Sequence, residues 1–283
     1  GLASEPVGFN FHFQKMGRVV KMARAGRKIH ICLHIFPFSM EGMQIHSESF
    51  RITSFLVNLR QRAGLYAVLN LIQDAGWQHA VALKWDFAGQ GLSWVFTRQK
   101  LVMKRWPLWN ETVTIDTWLR PASGDSPFVF RDYELKVGAE KIGECTSSFT
   151  LIDNATRKLA KPDWSPLASL WRVEGNLTHQ PAKIALHRDL TSLADFEVRN
   201  SDLDLNNHVN NTRYAQWILD AVPLPKLLQT ELHEYEINFL AETKKGDVVT
   251  LQQAVGLSEG DEQFQGWRKS DGKVVFSARM RVS

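Results

Sequence analysis

The chain has 283 residues, enough for two domains of about 100 to 150 residues each. Its 44% hydrophobic and 23% charged residues are typical of a globular protein, and no apolar run reaches the roughly 20 residues that a membrane-spanning helix needs. The net charge of +4 comes from residues 1–42, which carry six Lys or Arg against two acidic residues. The rest of the chain is neutral, so its charge gives no indication of nucleic-acid binding.

The basic segment 1–42 lacks a clear helix or strand pattern, and we expect it to be an extension outside the folded body. Its composition, basic and poor in acids, is that of a targeting peptide. The two cysteines, Cys32 and Cys145, give neither a disulfide framework nor a metal-ligand spacing. We therefore expect a reducing compartment, no metal and no other cofactor.

Regular elements begin at residue 47. Residues 47–55 predict a strand, and residues 59–79 predict a helix because their leucines and isoleucines recur near helical spacing. Four strand-like runs follow, at 92–104, 111–119, 127–137 and 141–152. The proline-punctuated residues 156–190 then predict a linker.

The same order of elements recurs after the linker. A short strand at 195–199 precedes a helix predicted from about 211 to 221. Four further strands are predicted at 232–241, 247–256, 262–269 and 273–282, the last two joined by an Asp-Gly hairpin turn.

Short segments also match between the two halves. LWNETVTI (108–115) and KKGDVVTL (244–251) share a turn-then-strand pattern, and the helical segments starting at Tyr66 and Tyr214 begin alike. An internal duplication explains both matches. Because a helix with one apolar face buries it against a sheet that wraps around it, we predict an α+β fold of the double hotdog type.

A polar stretch that begins the segment NSDLDLNNHVNNTRYAQWILDA (200–221) leads into the second predicted helix. If it is extended, Asp204, Asn206 and His208 leave the same side of the chain. The N-terminus of a helix presents free backbone N–H groups and the positive end of the helix dipole. A carboxylate, an amide and an imidazole at such a place suit acyl-transfer chemistry.

Composition alone favours a structural role for this stretch, since Asp and Asn are common in turns and a loop His is usually only solvated. Two features favour chemistry instead. By sequence alignment of the halves, Leu56, Asn58 and Arg60 stand where the polar cluster stands, and a pure folding requirement should recur in both copies. In addition, Glu242 follows the next strand at the position where the first half has Trp106.

The motif SDLDLNNHVNNTRYAQWILDA resembles the signature of the acyl-acyl-carrier-protein thioesterases of plants and bacteria. The resemblance covers residues 47–283 and includes WVFTRQKLVMKRWPLWNETVTIDTW (94–118), RDYEL (131–135) and TRKLAKP (156–162). It implies hydrolysis of the thioester between a fatty acyl chain and the phosphopantetheine arm of acyl carrier protein, which terminates fatty acid synthesis. The partner is then acyl carrier protein. Because two fused hotdogs can satisfy each other's sheet edges within one chain, dimerisation is not obligatory, and we expect a monomer or a homodimer.

The same resemblance implies catalytic roles for Asp204, Asn206, His208 and Glu242. Many plant members have Cys after the Glu, whereas this chain has Thr243, so a thiol nucleophile is not available there. We expect Glu242, or Asp204 and Glu242 together, to activate a water. Asn206 and His208 then orient the water or polarise the carbonyl.

The expected oxyanion donors are the backbone N–H groups of Val209, Asn210 and Asn211, and Asn210 or Asn211 is the expected helix cap. Cys145 is expected to be a buried structural residue. Candidates for the wall of the acyl tunnel, each also suited to an ordinary core, are Leu65, Leu69, Ile72, Trp77 and Trp94. Because carrier proteins of this kind are acidic, candidates for carrier docking are Arg157, Lys158, Lys161 and Arg213.

The predicted organisation is a basic extension (1–42), an N-terminal hotdog with the acyl pocket (43–155), a linker (156–190) and a C-terminal hotdog with the catalytic residues (191–283). The expected location is the bacterial cytoplasm, or a plastid if residues 1–42 are a transit peptide.

Three other functions are compatible with parts of this sequence. A hotdog acyl-CoA thioesterase would use the same residues with another carrier. A non-catalytic sensor of acyl thioesters would keep the tunnel and have no need of Asp204 and Glu242. A glycosyltransferase that binds a metal through Asp202 and Asp204 ranks last, because the chain has neither a nucleotide-binding glycine loop nor βαβ alternation.

Overall fold

The structure is a computed structural model that describes residues 44–83, 91–120, 126–160 and 165–283. These residues belong to one compact unit, Met40–Ser283. The expected extension 1–42 and the docking candidate Lys161 lie outside the described residues.

Ten strands and three α-helices form the regular part of the described residues. The strands are β1 (Ile45–Arg51), β2 (Leu92–Met103), β3 (Thr112–Arg120), β4 (Val129–Val137), β5 (Glu140–Asp153), β6 (Leu190–Glu197), β7 (Leu232–Phe239), β8 (Val248–Ala254), β9 (Asp261–Arg268) and β10 (Val274–Val282). The helices are α1 (Leu65–Ala82), α2 (Asn211–Ala221) and α3 (Leu224–Gln229).

All ten strands form one antiparallel sheet in the order β1-β3-β4-β5-β2-β7-β10-β9-β8-β6. The first five come from the first half of the chain and the last five from the second half. The two halves meet where β2 pairs with β7, with Arg98 opposite Asn238 and Val102 opposite Glu234. With one long helix in each half, this arrangement confirms the predicted double hotdog.

Both long helices pack on the sheet and on each other. Helix α1 contacts β1 and β3, helix α2 contacts β6 and β8, and α1 contacts α2. One continuous core joins the halves, with Ile72 of α1, Ile218 of α2, Leu135 and Phe276 all fully buried. Burial of each such side chain contributes about 1.5 to 3 kcal/mol.

The linker crosses the opposite face of the second-half strands. Tyr235 and Ile237 point into the core, so Glu236 and Asn238 point the other way. Four polar side chains of β7 and β9 bind the main chain of residues 182–187, namely Glu236, Asn238, Gln263 and Gln265. These bonds explain how a segment with little strand character stays on the sheet.

The helix predicted at 59–79 begins only at Leu65, so its predicted start is wrong. Residues 58–62 form a tight turn instead, in which the N–H of Asn58 donates to the carbonyl of Arg62 over 2.9 Å and Gln61 has a φ of 57°. Leu59, which continues the helical spacing, is 73% exposed at the tip of this turn.

Other elements agree more closely with the sequence. Helix α2 begins and ends as predicted, and every predicted strand is present with shifted ends. The short helix α3 was not predicted, because six residues carry too little periodicity. Among the described helices, none is long and apolar enough to cross a membrane.

Candidate active site

Residues 204–208 form a closed turn and not the extended segment that would place Asp204, Asn206 and His208 on one side of the chain. The N–H of Asp204 donates to the carbonyl of His208 over 2.8 Å, and the carbonyl of Asp204 accepts from Asn207 over 3.1 Å. Asn207 has a φ of 60°, the left-handed conformation that Asn tolerates better than most residues. The turn, rather than strand alternation, gathers the polar side chains.

The carboxylate of Asp204 organises this turn. Its Oδ1 accepts the backbone N–H of Asn206 over 2.8 Å and that of His208 over 3.2 Å. The side chain therefore fixes the backbone of the two motif residues Asn206 and His208. Asn206 is exposed in the turn and His208 is half-buried.

The first half contains the same turn. Asn58 Oδ1 accepts the N–H of Arg60 over 2.9 Å, and the flanking residues form a bridge that repeats the bridge between Leu203 and Val209. In the structure, the positions 204, 206 and 208 therefore correspond to Asn58, Arg60 and Arg62. The sequence alignment with Leu56, Asn58 and Arg60 is wrong by two residues, because it matched Tyr66 with Tyr214, whereas the helix N-caps that correspond are Gly64 and Asn210.

The two halves differ in the side chains that surround this turn. Arg60 and Arg62 both pair with Glu231, over 3.0 and 2.7 Å. Trp106, which is buried, takes the place of Glu242. The turn itself is thus a feature of the fold, and the second half adds the amide, the imidazole and the second carboxylate.

Glu242 lies between the imidazole of His208 and the guanidinium of Arg157. Its Oε2 is 3.5 Å from Nε2 of His208, and its Oε1 accepts a hydrogen bond of 2.6 Å from Arg157. The structure thus brings His208 and Glu242 together, with Asp204 behind His208 in the turn. The contact with Arg157, 85 residues away in sequence, was not predicted.

Residues 242–243 lie outside the strands, yet their main chain is held on several sides. Arg268 donates to the carbonyl of Glu242, and the N–H of Val209 donates to the carbonyl of Thr243 over 2.9 Å. Tyr214 of α2 donates its hydroxyl to Thr243 Oγ1 over 3.0 Å. Burial raises the pKa of Tyr214 to about 12, so this phenol stays protonated and remains a donor.

The charges around Glu242 set its protonation state. Partial burial by itself would raise the pKa of this carboxyl. The hydrogen bond from Arg157, together with the charges of His208, Arg157 and Lys244, outweighs burial and lowers the pKa below its ordinary value. Glu242 is therefore an ionised carboxylate at neutral pH.

Asn210 caps helix α2, since its Oδ1 accepts the N–H of Thr212 over 3.0 Å. Two of the three predicted oxyanion donors already have acceptors within the protein. The N–H of Val209 donates to Thr243, and that of Asn210 donates to the carbonyl of Asp202 over 2.8 Å. The N–H of Asn211, the first residue of α2, stays a prediction for this role.

Helix α2 is joined to the first half beside the turn. Thr212 donates its hydroxyl to Asn70 of α1 over 3.0 Å, and the guanidinium of Arg213 lies over the ring of Tyr66 at 5.2 Å from its centroid. Arg213 also donates to the carbonyl of Ser201 over 2.7 Å, which gives it a structural role next to the turn.

The tunnel and docking candidates fall in different places. Leu65, Leu69 and Ile72 are buried in the core between α1 and the sheet. Trp94 is half-buried and packs edge-on against Phe149.

Trp77 is 57% exposed, so its prediction as an interior wall residue is wrong: its place on α1 turns it to the outer face. Lys158 is exposed, as a docking residue must be. Cys145 is buried and burial raises the pKa of its thiol, in agreement with a structural role.

Two family profiles match the chain: acyl-ACP thioesterase N-terminal domain over residues 43–163, and acyl-ACP thioesterase C-terminal domain over residues 187–281. A palmitoyl-acyl carrier protein thioesterase, chloroplastic, of Gossypium hirsutum is 27% identical over 274 residues, which are 84% of this chain and 63% of that protein. An oleoyl-acyl carrier protein thioesterase, chloroplastic, of Coriandrum sativum is 27% identical over 226 residues, 72% of this chain and 61% of that protein.

The chain thus spans less than two thirds of the length of these two relatives. Among solved structures, an acyl-ACP thioesterase from Bacteroides thetaiotaomicron has a TM-score of 0.77 with this chain at 22% identity. The match covers 86% of this chain and 99% of that one, and it shows a shared fold.

Proposed function

The chain belongs to the acyl-ACP thioesterase family, and we propose that it hydrolyses the thioester that links a fatty acyl chain to acyl carrier protein. The observation that carries this proposal is the contact between Glu242 and His208 beside the turn that opens α2. The first half has the same turn without these two side chains, which supports a chemical role for them in the second half.

The reaction is a hydrolysis with water as the nucleophile. Glu242 takes a proton from the water while the water oxygen forms a bond to the thioester carbon. The tetrahedral intermediate then expels the sulfur, the C–S bond breaks, and the thiolate takes up the proton held by the catalytic carboxyl. The products are the free fatty acid and the thiol of the carrier, and Glu242 returns to its ionised form.

Glu242 is a better candidate for the base than Asp204. The Asp204 carboxylate already accepts two backbone N–H groups, and Asn58, which is not an acid, has the corresponding position in the first half. We therefore assign Asp204 the task of positioning Asn206 and His208. These two side chains orient the water or polarise the carbonyl, and the N–H of Asn211 is the proposed oxyanion donor.

The proposal extends to the binding of the acyl chain and of the carrier. The first hotdog (43–155) would hold the acyl chain, with Leu65, Leu69 and Ile72 as wall residues, and Lys158 would contact the acidic carrier protein. The proteins of Gossypium hirsutum and Coriandrum sativum are named as chloroplastic, which supports the plastid alternative over the bacterial cytoplasm.

The test is fatty-acid release from carrier-protein thioesters of eight to eighteen carbons, with matched acyl-CoA thioesters alongside. Wild type should release fatty acid from the carrier series, and Glu242→Gln should lower kcat by about 10²- to 10⁴-fold, the usual contribution of a general base. Faster release from acyl-CoA than from the carrier would favour the acyl-CoA thioesterase alternative. Tight acyl binding without any release would favour the sensor.

A further inference from the structure

The turn after β5 aims an arginine at the candidate base. Asp153 Oδ1 accepts the N–H and the hydroxyl of Thr156 over 2.7 and 2.8 Å, and the N–H of Arg157 donates to the carbonyl of Asp153 over 2.8 Å. Arg157 has a φ of 57°, in the left-handed region that residues with a side chain rarely adopt. The turn therefore fixes the backbone of Arg157, from which the side chain reaches Glu242.

The two oxygens of the Glu242 carboxylate have different partners, Arg157 and His208. Oε1 accepts from Arg157 at 2.6 Å, which leaves Oε2 on the side of His208 at 3.5 Å. With its main chain already held by Arg268, the side chain is restrained at both ends. The ion pair between Arg157 and Glu242 is half-exposed and therefore adds little to stability. We expect it to act on the orientation of the carboxylate instead.

We propose that Arg157 is a positioning residue of the active site, which fixes the Glu242 carboxylate toward His208 and makes the turn after β5 part of a site whose other residues lie in the second half of the chain. This inference rests on the proposed function of Glu242 as the base. It replaces the assignment of Arg157 to carrier docking, because the guanidinium already has a carboxylate partner within the site.

The groups that face Glu242 determine the effect of losing Arg157. They are Arg157 from the turn after β5, His208 from the turn before α2, Lys244 from its own loop and Arg268 from β9. Burial raises the pKa of Glu242, and the positive charges around it lower this pKa. Loss of Arg157 removes one of those charges, so the pKa of Glu242 should rise. Because the base must be ionised, the acid limb of the pH profile then moves to higher pH.

The variants are Arg157→Gln and Arg157→Lys, with Arg281→Gln as the matched control. Arg281 lies on β10 outside this cluster, its side chain is 54% exposed against 55% for Arg157, and it pairs with Glu234. Kinetics on acyl-carrier-protein and acyl-CoA thioesters would be measured across pH. In parallel, the Glu242 carboxyl would be titrated by carbon NMR in wild type and in Arg157→Gln.

We expect Arg157→Gln to lower kcat about 10- to 100-fold on both carriers, as small misplacements of reacting groups do. The acid limb and the Glu242 titration should both move to higher pH, Arg157→Lys should recover part of the loss, and Arg281→Gln should match wild type. A higher KM for the carrier-protein substrate alone, with kcat and titration unchanged, would overturn the inference and restore the docking role. A wild type that hydrolyses no thioester would overturn the proposed function, and the role of Arg157 with it.

Discussion

At the scale of single residues, the turn before α2 has side chains that hold its shape and side chains available for chemistry. The equivalent turn of the first half has only the former. Asp204 and Asn58 hold equivalent turns through the same side-chain oxygen contact, although one is an acid and the other an amide. His208 and Glu242 have no such equivalent, since Arg62 and Trp106 take their places. The side chains that build the turn and those available for chemistry are therefore different.

This division predicts the effect of substitutions at Asp204 on stability. Asp204→Ala leaves the N–H groups of Asn206 and His208 without their acceptor and should lower the free energy of unfolding by about 1 to 2 kcal/mol. Asp204→Asn should stay within about 0.5 kcal/mol of wild type, because an amide oxygen accepts the same bonds. Urea unfolding followed by tryptophan fluorescence measures both.

The first half supplies the control for that prediction. Asn58→Ala removes the equivalent acceptor in the other half of the chain and should cost a similar free energy of unfolding. If Asp204→Asn were as unstable as Asp204→Ala, the charge of Asp204 rather than its hydrogen-bond geometry would hold the turn, and the analogy with Asn58 would fail.

At the scale of elements, the linker shows how side chains replace strand pairing. Asn238 is buried and bonds twice to the linker, accepting from the N–H of Ile184 over 2.8 Å and donating to the carbonyl of Ala182 over 2.9 Å. These two bonds hold the residues on either side of Lys183, and the peptide bond after Lys183 is a site for trypsin. The fit of the linker on the sheet therefore depends on the polar face of β7.

We expect Asn238→Ala to release this part of the linker. The two lost bonds should lower the free energy of unfolding by about 2 kcal/mol, and trypsin should cut after Lys183 faster than in wild type. Gln252→Ala is the control, since Gln252 makes only one long, exposed bond to Ser192 on the same sheet. Unchanged cleavage after Lys183 in Asn238→Ala would show that other contacts hold the linker.

The elements also show how much of the structure could be predicted from the sequence. Strand alternation and the cap at Asn210 are local signals, so β10 and α2 were predicted nearly residue by residue. The start of α1 was not, because Leu59 continues the helical spacing into a turn whose shape depends on Asn58. The contact between Arg157 and Glu242 spans 85 residues and depends on how the halves pack, for which the sequence carries no local pattern.

At the scale of the whole molecule, no boundary separates the two hotdogs in the described residues. The pairing of β2 with β7 joins the strands of both halves into one sheet of ten. The buried cluster that contains Ile72 of the first half also contains Ile218 of the second. Thr212 of α2 and Asn70 of α1 are hydrogen-bonded at the helix contact. The candidate site also joins separate parts of the chain, since Glu242 of the second half contacts Arg157 of the turn after β5.

A shared sheet and a shared core predict that both halves unfold together. Calorimetry should give one transition with equal calorimetric and van't Hoff enthalpies, and Asn58→Ala and Asp204→Ala, one in each half, should lower the same melting temperature. The reason is that unfolding of one half would leave β2 or β7 of the other half without its pairing strand, and would expose that half's side of the shared core. Two separate transitions, each moved by only one of the two variants, would contradict this prediction and would mean that the β2–β7 pairing contributes little to the stability of either half.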